Sequence, residues 1–239
     1  MGAIERLTAI QERLYARTSG YRFGGVLVLL LATFIFLSAA PPGHWTQAGA
    51  VVFESAAVLA ALVASRASRW LFVSAVIIIV LSVAGTCIAI GLGTSTRVPV
   101  GTLVSALLAI GVPVAIARGL WNRWIVDART VLGALSIYVS IGLFYAFVFQ
   151  AIHEITARAF FAQNVVETSA DFLYFSFVTI ATVGYGDLTA AGGLNRALSA
   201  LEGMTGQLYL VTVVALLVSN LRPRIAARNG EQAPAGDSP

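Results

Sequence analysis

The chain has 239 residues, of which 58% are hydrophobic and only 11% are charged, and its formal net charge is +4. A soluble domain carries about 25% charged residues, so this chain has too few polar side chains to cover a soluble globule. The composition excludes a cytosolic enzyme and a disordered protein, and the single Cys87 excludes a disulfide scaffold. We therefore expect an all-α integral membrane protein.

Six apolar segments are long enough to cross a bilayer, which takes roughly 20 helical residues. The first segment exceeds the apolar core of a signal peptide, about 7–15 residues, so we interpret it as a membrane span. The six predicted spans are Phe23–Ala40, Thr46–Ser65, Trp70–Gly93, Val98–Ala117, Val131–Ile152 and Leu194–Leu221.

All fifteen basic residues are arginines, and they lie between the apolar segments. Only Arg97, Arg158 and Arg196 fall on one side of the predicted spans, whereas the other twelve fall on the opposite side. Because cytoplasmic loops are enriched in basic residues, we expect a multi-pass protein of the cell membrane with both termini in the cytoplasm. The absence of lysine favours a bacterial source. The arginines form no single patch, so no nucleic-acid partner is predicted.

Three segments outside the spans are interpreted from their composition. Residues 1–22 are predicted to form a cytoplasmic amphipathic helix, which lies on the inner membrane face or packs subunits together. Residues 119–130 carry Trp121 and Trp124 and are predicted to be an interfacial linker helix, because tryptophan favours the headgroup level. Residues 222–239 are predicted to be a disordered cytoplasmic tail.

A short apolar helix followed by a glycine-rich run is predicted between the fifth and sixth spans. Ser169 is a suitable N-cap, and Asp171 suits a first helical turn. The apolar stretch has about a dozen residues, too few to cross a bilayer and typical of a re-entrant helix. Irregular backbone at membrane depth needs shielding by protein or water, so the run after this helix requires a functional explanation.

Cation coordination provides that explanation for the run Thr182–Asp187, which reads TVGYGD. Rings of backbone carbonyls can replace the water shell of K⁺. Successive carbonyls point to one side only with unusual backbone angles, which Gly184 and Gly186 adopt without a Cβ penalty. The partially negative C-terminal end of the re-entrant helix also favours a cation.

The segment Thr179–Asp187 resembles the TxxTxGYGD filter signature of the potassium-channel family, in its six-span bacterial type. The resemblance implies an outer helix, pore helix, filter and inner helix within residues 131–221. It also implies a homotetramer, because one filter copy cannot surround an ion. The implied filter residues are Thr182, Val183, Gly184, Tyr185 and Gly186, with K⁺ held at the first four.

Residues next to the filter support it under this interpretation. Thr179 and Asp187 belong to the signature. Tyr174 and Phe175 stand where many family members carry tryptophans, and Tyr174 is expected to donate a hydrogen bond to Asp187. Val178 stands where some relatives carry a glutamate. These departures concern filter stability rather than selectivity.

The last span contains the candidate gate. Gly206 lies twenty residues after Gly186, where many family members carry a hinge glycine, and close helix packing is the alternative. Glu202 lies one turn earlier, and a carboxylate at membrane depth is a functional-site hypothesis, so we expect its protonation to influence gating. The predicted cavity-lining residues on this helix are Gln207, Leu210, Val214 and Val218.

Residues 23–118 form a predicted four-helix module in the position of a voltage sensor. The fourth span has no arginine inside it, whereas gating charges are what make opening steeply voltage-dependent. We therefore expect weak or no intrinsic voltage sensing. Glu54 interrupts the second span, either as a functional carboxylate or as a protonated or paired residue within the module.

The sequence thus predicts a passive, potassium-selective channel, with K⁺ as its permeant ion and membrane lipids around it. No nucleophile triad, metal-ligand cluster or phosphate-binding loop is found in the sequence, so neither an enzyme nor an organic cofactor is predicted. One alternative is a subunit of a potassium transporter, which typically shows internal repeats. Another is a non-conducting regulatory or scaffold membrane protein with a channel-like pore. A regulatory partner stays an open possibility.

Overall fold

The computed structural model describes residues 22–41, 44–65, 100–120 and 128–230, with isolated positions between 70 and 84. The helices in these ranges are α1 (Arg22–Ala39), α2 (His44–Ser65), α3 (Val100–Leu120), α4 (Ala128–Thr156), α5 (Ser169–Ile180) and α6 (Gly192–Gly230). The described chain therefore consists of α-helices and irregular segments, and its only β pairing is one isolated antiparallel bridge between Phe161 and Ala190.

Four helices are long and apolar enough to cross a membrane, and they match the second, fourth, fifth and sixth predicted spans. Their membrane segments are Ala48–Ser65, Gly101–Arg118, Thr130–Thr156 and Gly192–Leu216. The apolar segments of α1 and α5 are shorter. Most of the third predicted span, Trp70–Gly93, lies outside the described residues, so the six-span topology stays a prediction.

The last helix is longer than the sequence predicts. Residues 222–239 were expected to be disordered, but α6 continues to Gly230. The added turns contain two alanines, which are strong helix formers, and three arginines, whose charge is favourable near a helix C-terminus. The tail prediction is wrong for residues 222–230. Residues 231–239, the predicted helix 1–22 apart from its last residue and most of the linker 119–130 lie outside the described ranges.

Helix α2 packs between α1 and α3, and α1 and α3 each pack on α4, around one apolar core. Helix α1 also contacts α5, where the rings of Phe34 and Phe177 meet edge to face with centroids 4.8 Å apart. Gly142 of α4 makes room for this contact, because a Cβ there would lie 2.9 Å from the Phe177 ring. The N-terminal helices thus pack on the C-terminal half of their own chain.

A second apolar cluster fixes α5 against the end of α4. It is built from aromatic rings, and the centroids of Phe149 and Phe160 are 4.9 Å apart. Phe175 belongs to this cluster and is 8% exposed, so its ring packs inside the protein against the other aromatic rings. The fully or nearly fully buried rings are Phe149, Phe160, Phe161, Phe172 and Phe175.

Candidate ion-conduction site

Helix α5 begins with a capping box one residue earlier than the predicted cap. The N-cap is Thr168 rather than Ser169. Its side chain accepts a hydrogen bond from the Asp171 N–H, and the Asp171 carboxylate accepts one from the Thr168 N–H at 2.8 Å. Reciprocal bonds of this kind satisfy two amides that the first turn leaves free, so the start of α5 is firmly set.

The loop before α5 is held by Glu167, a residue that sequence analysis did not single out. Its carboxylate accepts hydrogen bonds from the backbone N–H groups of Phe160 at 3.0 Å and Phe161 at 2.8 Å. It also lies 2.8 Å from Nδ1 of His153. The bonding partners are main-chain amides, which carry no residue-type signal, so the sequence pattern gave no indication of this role.

The chain that follows the TVGYGD run returns to the same loop. The Ala162 N–H donates to the Thr189 carbonyl, and the Ala191 N–H donates to the Phe160 carbonyl, both at 2.8 Å. The Gln163 amide donates to Thr189 Oγ1 and accepts from the Thr189 N–H. The run is therefore anchored at both ends, by α5 before it and by this loop after it.

Left-handed backbone conformation recurs at every second residue of the run. The φ angles are +56° at Thr182, +59° at Gly184 and +79° at Gly186. Alternating conformations of this kind turn successive carbonyls toward one side, as an ion filter requires. The glycines were predicted to adopt such angles. A positive φ is uncommon for a β-branched residue, and nothing in the sequence indicated it at Thr182.

Backbone carbonyls of the run are available as ligands. In the described ranges, no hydrogen bond ends on the carbonyls of Thr182, Val183, Gly184 or Tyr185. The N–H groups of Val183 and Gly184 instead turn back to the Val178 carbonyl, at 2.9 and 3.4 Å. The structure therefore leaves free the four oxygens that were predicted to bind K⁺.

Tyr174 supports the run from the side. Its Oη donates to Oδ2 of Asp187 at 2.8 Å, so the hydrogen bond expected from the sequence is present. This bond raises the pKa of the Tyr174 phenol above its usual range, because the carboxylate accepts the phenolic hydrogen. The Tyr174 and Tyr185 rings are parallel within 4°, with centroids 6.5 Å apart.

Gly206 lies where α6 passes close to the end of α5. A Cβ at this glycine would lie 2.5 Å from Cγ1 of Ile180 and 2.6 Å from its carbonyl oxygen. Helix α6 continues through this position, so the contact supports the packing interpretation of Gly206, and its role as a hinge stays a prediction. Thr179 lies in the same interface, with its carbonyl oxygen 3.9 Å from a Cβ built at Gly203.

The predicted cavity residues lie on an exposed part of α6, beside the face that carries Gly206. Gln207, Leu210 and Val214 are all exposed in the single chain. Val218 lies in the helix, but its side chain is outside the described part. Only 11% of the span Gly192–Leu216 is buried, and among the described helices α6 packs against α4 and α5. This apolar face is therefore open to lipid or to further copies of the chain.

Glu202 is not on that exposed face. Its side chain is completely buried where α4, α5 and α6 meet. Its Oε1 lies 2.5 Å from Oγ of Ser176, and that hydroxyl lies 2.7 Å from the Gly142 carbonyl oxygen. Oε2 has no hydrogen-bond partner in the described part of the chain. The expectation that its protonation influences gating stays a prediction.

Residues 134–222 match the model of a protein family described as "Ion channel". The matched stretch contains most of α4, all of α5, the TVGYGD run and the membrane segment of α6. This part of the chain is similar to ion-channel domains, and the similarity supports transport rather than catalysis. Neither the curated proteins nor the solved structures contain a match to the chain.

Proposed function

We propose that the protein is a potassium-selective channel that conducts K⁺ passively across the cell membrane. The observation that carries the proposal is the set of four backbone carbonyls at Thr182–Tyr185 that accept no hydrogen bond in the described ranges, on a backbone anchored at both ends. Oxygen ligands of this kind replace the hydration shell of K⁺. In this proposal α5 is the pore helix, α4 the outer helix and α6 the inner helix.

A homotetramer completes the proposed site. One chain supplies one carbonyl at each level of the filter, so a closed ring of ligands needs several copies around an axis. The fourfold arrangement implied by the filter signature meets this need. Support comes from α6, whose apolar face is mostly exposed in the single chain. Gln207 would keep the cavity of such a tetramer wet, and Leu210 and Val214 would form a constriction that gates by dewetting.

Weak or absent voltage sensing is the second part of the proposal. Moving one charge across the membrane is worth about 2.3 kcal/mol per 100 mV, so steep voltage dependence needs several charges inside the field. The membrane segment of α3 has its only arginine, Arg118, in the last turn. Helices α1–α3 are therefore proposed to act as a scaffold around the pore, with both chain termini in the cytoplasm.

Cation flux from liposomes tests the proposal. Purified protein is reconstituted, and K⁺ and Na⁺ efflux are compared with and without Ba²⁺. We expect a K⁺-selective, Ba²⁺-sensitive flux that disappears in Gly184→Asp and persists in Gly193→Ala, a glycine with ordinary φ and open space around it. Equal K⁺ and Na⁺ fluxes would contradict selectivity. Flux only against an applied gradient would favour a transporter subunit, and no flux at any voltage or pH would favour a scaffold protein.

A further inference from the structure

Hydrogen counting at a buried contact between three helices indicates the protonation state of Glu202. Oγ of Ser176 lies within hydrogen-bonding distance of both the Gly142 carbonyl, at 2.7 Å, and Oε1 of Glu202, at 2.5 Å. A serine hydroxyl has one hydrogen, and a peptide carbonyl only accepts. If Ser176 donates to Gly142, the hydrogen in its contact with Glu202 must come from the carboxyl group.

The opposite assignment leaves two unfavourable contacts. If Ser176 donated to an ionised Glu202, its oxygen would face the Gly142 carbonyl oxygen at 2.7 Å with no hydrogen between them. Oε2 of Glu202 would then be a charged, buried oxygen without a hydrogen-bond partner in the described part of the chain. An isolated buried carboxylate is strongly disfavoured unless it is paired.

Among the described residues, no positive charge contacts Glu202 to balance a carboxylate. Their only ion pair joins His153 and Glu167, in the last turn of α4 and the loop before α5. The titratable group that faces Glu202 from α4 is the phenol of Tyr138, whose hydroxyl donates to the Ile180 carbonyl. From α5 the contact is the Ser176 hydroxyl. Phenol and hydroxyl are uncharged at neutral pH, so they provide no counter-ion.

We infer that Glu202 is held as a neutral carboxylic acid that donates its proton to Ser176, which donates in turn to the Gly142 carbonyl. This relay ties α6 to α5 and α4 at one buried point. Ser176 lies in the second half of α5, which leads directly into Thr182, so Glu202 is a positioning residue for the start of the proposed filter. The protonation state rests on the contact geometry, and only its effect on conduction rests on the proposed function.

Infrared spectroscopy of the full-length protein in lipid tests the protonation state. A protonated carboxyl group has a carbonyl stretch above the amide bands, and this stretch moves in ²H₂O. We expect Glu202→Gln to remove one such band, and Ser176→Ala to shift it because the carboxyl group loses its acceptor. Loss of a carboxylate band in Glu202→Gln, with no change above the amide bands, would overturn the inference.

Glu54 offers a matched control for the band assignment. It is a second buried carboxyl, 1% exposed, on α2. The Glu202 band is expected to persist unchanged in Glu54→Gln and to be missing from the Glu54→Gln, Glu202→Gln double variant. A band lost in Glu54→Gln and retained in Glu202→Gln would assign the protonated group to Glu54 and overturn the inference for Glu202.

Liposome flux tests the positioning role separately. Glutamine is uncharged and donates a hydrogen bond as the neutral acid does, whereas leucine of similar volume does not. We expect Glu202→Gln to retain the K⁺-selective flux that Glu202→Leu loses. Equal flux in Glu202→Leu and the unsubstituted protein, or equal loss in both variants, would overturn the positioning role. A wild-type protein without flux would contradict the proposed channel function, and the infrared result would still decide the protonation state.

Discussion

The C-terminal helices and the N-terminal helices bury their polar groups in different ways. In α4–α6, hydroxyl groups bond from one helix to the backbone of another. Tyr138 donates to the Ile180 carbonyl at 3.1 Å, and Tyr209 donates to the Ala134 carbonyl at 2.6 Å. These directional bonds fix the separation and rotation of the helices around the TVGYGD run.

The N-terminal helices rely more on apolar packing, although α3 is also joined to α4 by bonds from Thr102 to Glu154 and from Ser140 to the Ala109 carbonyl. The hydroxyls of Thr33 and Ser65 donate to carbonyls of their own helices. Glu54 of α2 is 1% exposed and lies beside Ser105, but neither carboxyl oxygen makes a well-oriented hydrogen bond. Glu54 thus lies in mainly apolar surroundings, whereas the irregular backbone after α5 is anchored by the helix before it and the loop beside it.

The comparison shows where geometric precision is needed in this molecule. A small shift of a helix that packs through apolar side chains breaks no directional bond, whereas the same shift displaces the carbonyls of an ion filter. We therefore expect substitutions in the C-terminal region to have the larger effects. The following predictions run from the largest expected effect to the smallest.

Gly184 is expected to be the most sensitive position. Its φ is +59°, and open space surrounds a Cβ built there, so alanine would act on the backbone alone. A left-handed conformation costs an L-residue about 1–2 kcal/mol, which is enough to favour another local conformation. We expect Gly184→Ala to abolish K⁺-selective flux from liposomes. Selective flux at the wild-type rate in this variant would contradict the role of the alternating backbone.

Gly206 tests the close contact between α6 and α5. A Cβ there would lie 2.6 Å from the backbone carbonyl oxygen of Ile180, and overpacking of this kind typically costs about 1–3 kcal/mol. We expect Gly206→Ala to lower the free energy of unfolding by this amount in detergent. Gly203→Ala, one turn earlier and 3.9 Å from its nearest neighbour, is the matched control. Equal stability of the two variants would contradict the packing interpretation and favour the hinge.

A substitution at Glu54, in the N-terminal region, is expected to stabilise the protein, unlike the substitutions above. Replacing a buried, unbonded carboxyl group by leucine removes a desolvation penalty of about 1–3 kcal/mol. We expect Glu54→Leu to raise the free energy of unfolding and to leave K⁺ flux unchanged. Ser140→Ala removes the hydrogen bond from Ser140 of α4 to the Ala109 carbonyl of α3. This variant should instead have a lower free energy of unfolding. A strongly destabilised Glu54→Leu protein would show that Glu54 has a partner.

The smallest effect is expected at Tyr174, whose hydrogen bond to Asp187 lies at an exposed position. Tyr174→Phe removes the donor but keeps the ring. We expect K⁺ selectivity to be retained and the flux to decline faster with time, since the run loses one lateral support. Tyr174→Trp, which keeps a donor, should decline more slowly than Tyr174→Phe. Loss of selectivity in Tyr174→Phe would mean that this bond maintains the filter conformation on which selectivity depends.

Much of the candidate site was predictable because it depends on local sequence. The positive φ angles of Gly184 and Gly186 follow from residue type. The short helix follows from the length of its apolar stretch, and the bond between Tyr174 and Asp187 follows from the filter signature and donor chemistry.

Other features depend on contacts between distant residues. Glu202 and Ser176 are 26 residues apart, and only the packing of α6 on α5 brings them together. Glu167 bonds to main-chain amides, and the positive φ of Thr182 is set by anchors on both sides of the run. The end of α6 was predicted too early because hydropathy marks where a membrane segment ends, and a helix can continue beyond that segment.

The reversal potential in a planar bilayer, with K⁺ on one side and Na⁺ on the other, tests the central claim most directly. Carbonyls of four chains that replace the K⁺ hydration shell predict a reversal potential close to that of a purely K⁺-selective membrane, with little dependence of open probability on voltage. A reversal potential near zero, from channels that pass both ions equally, would contradict the account.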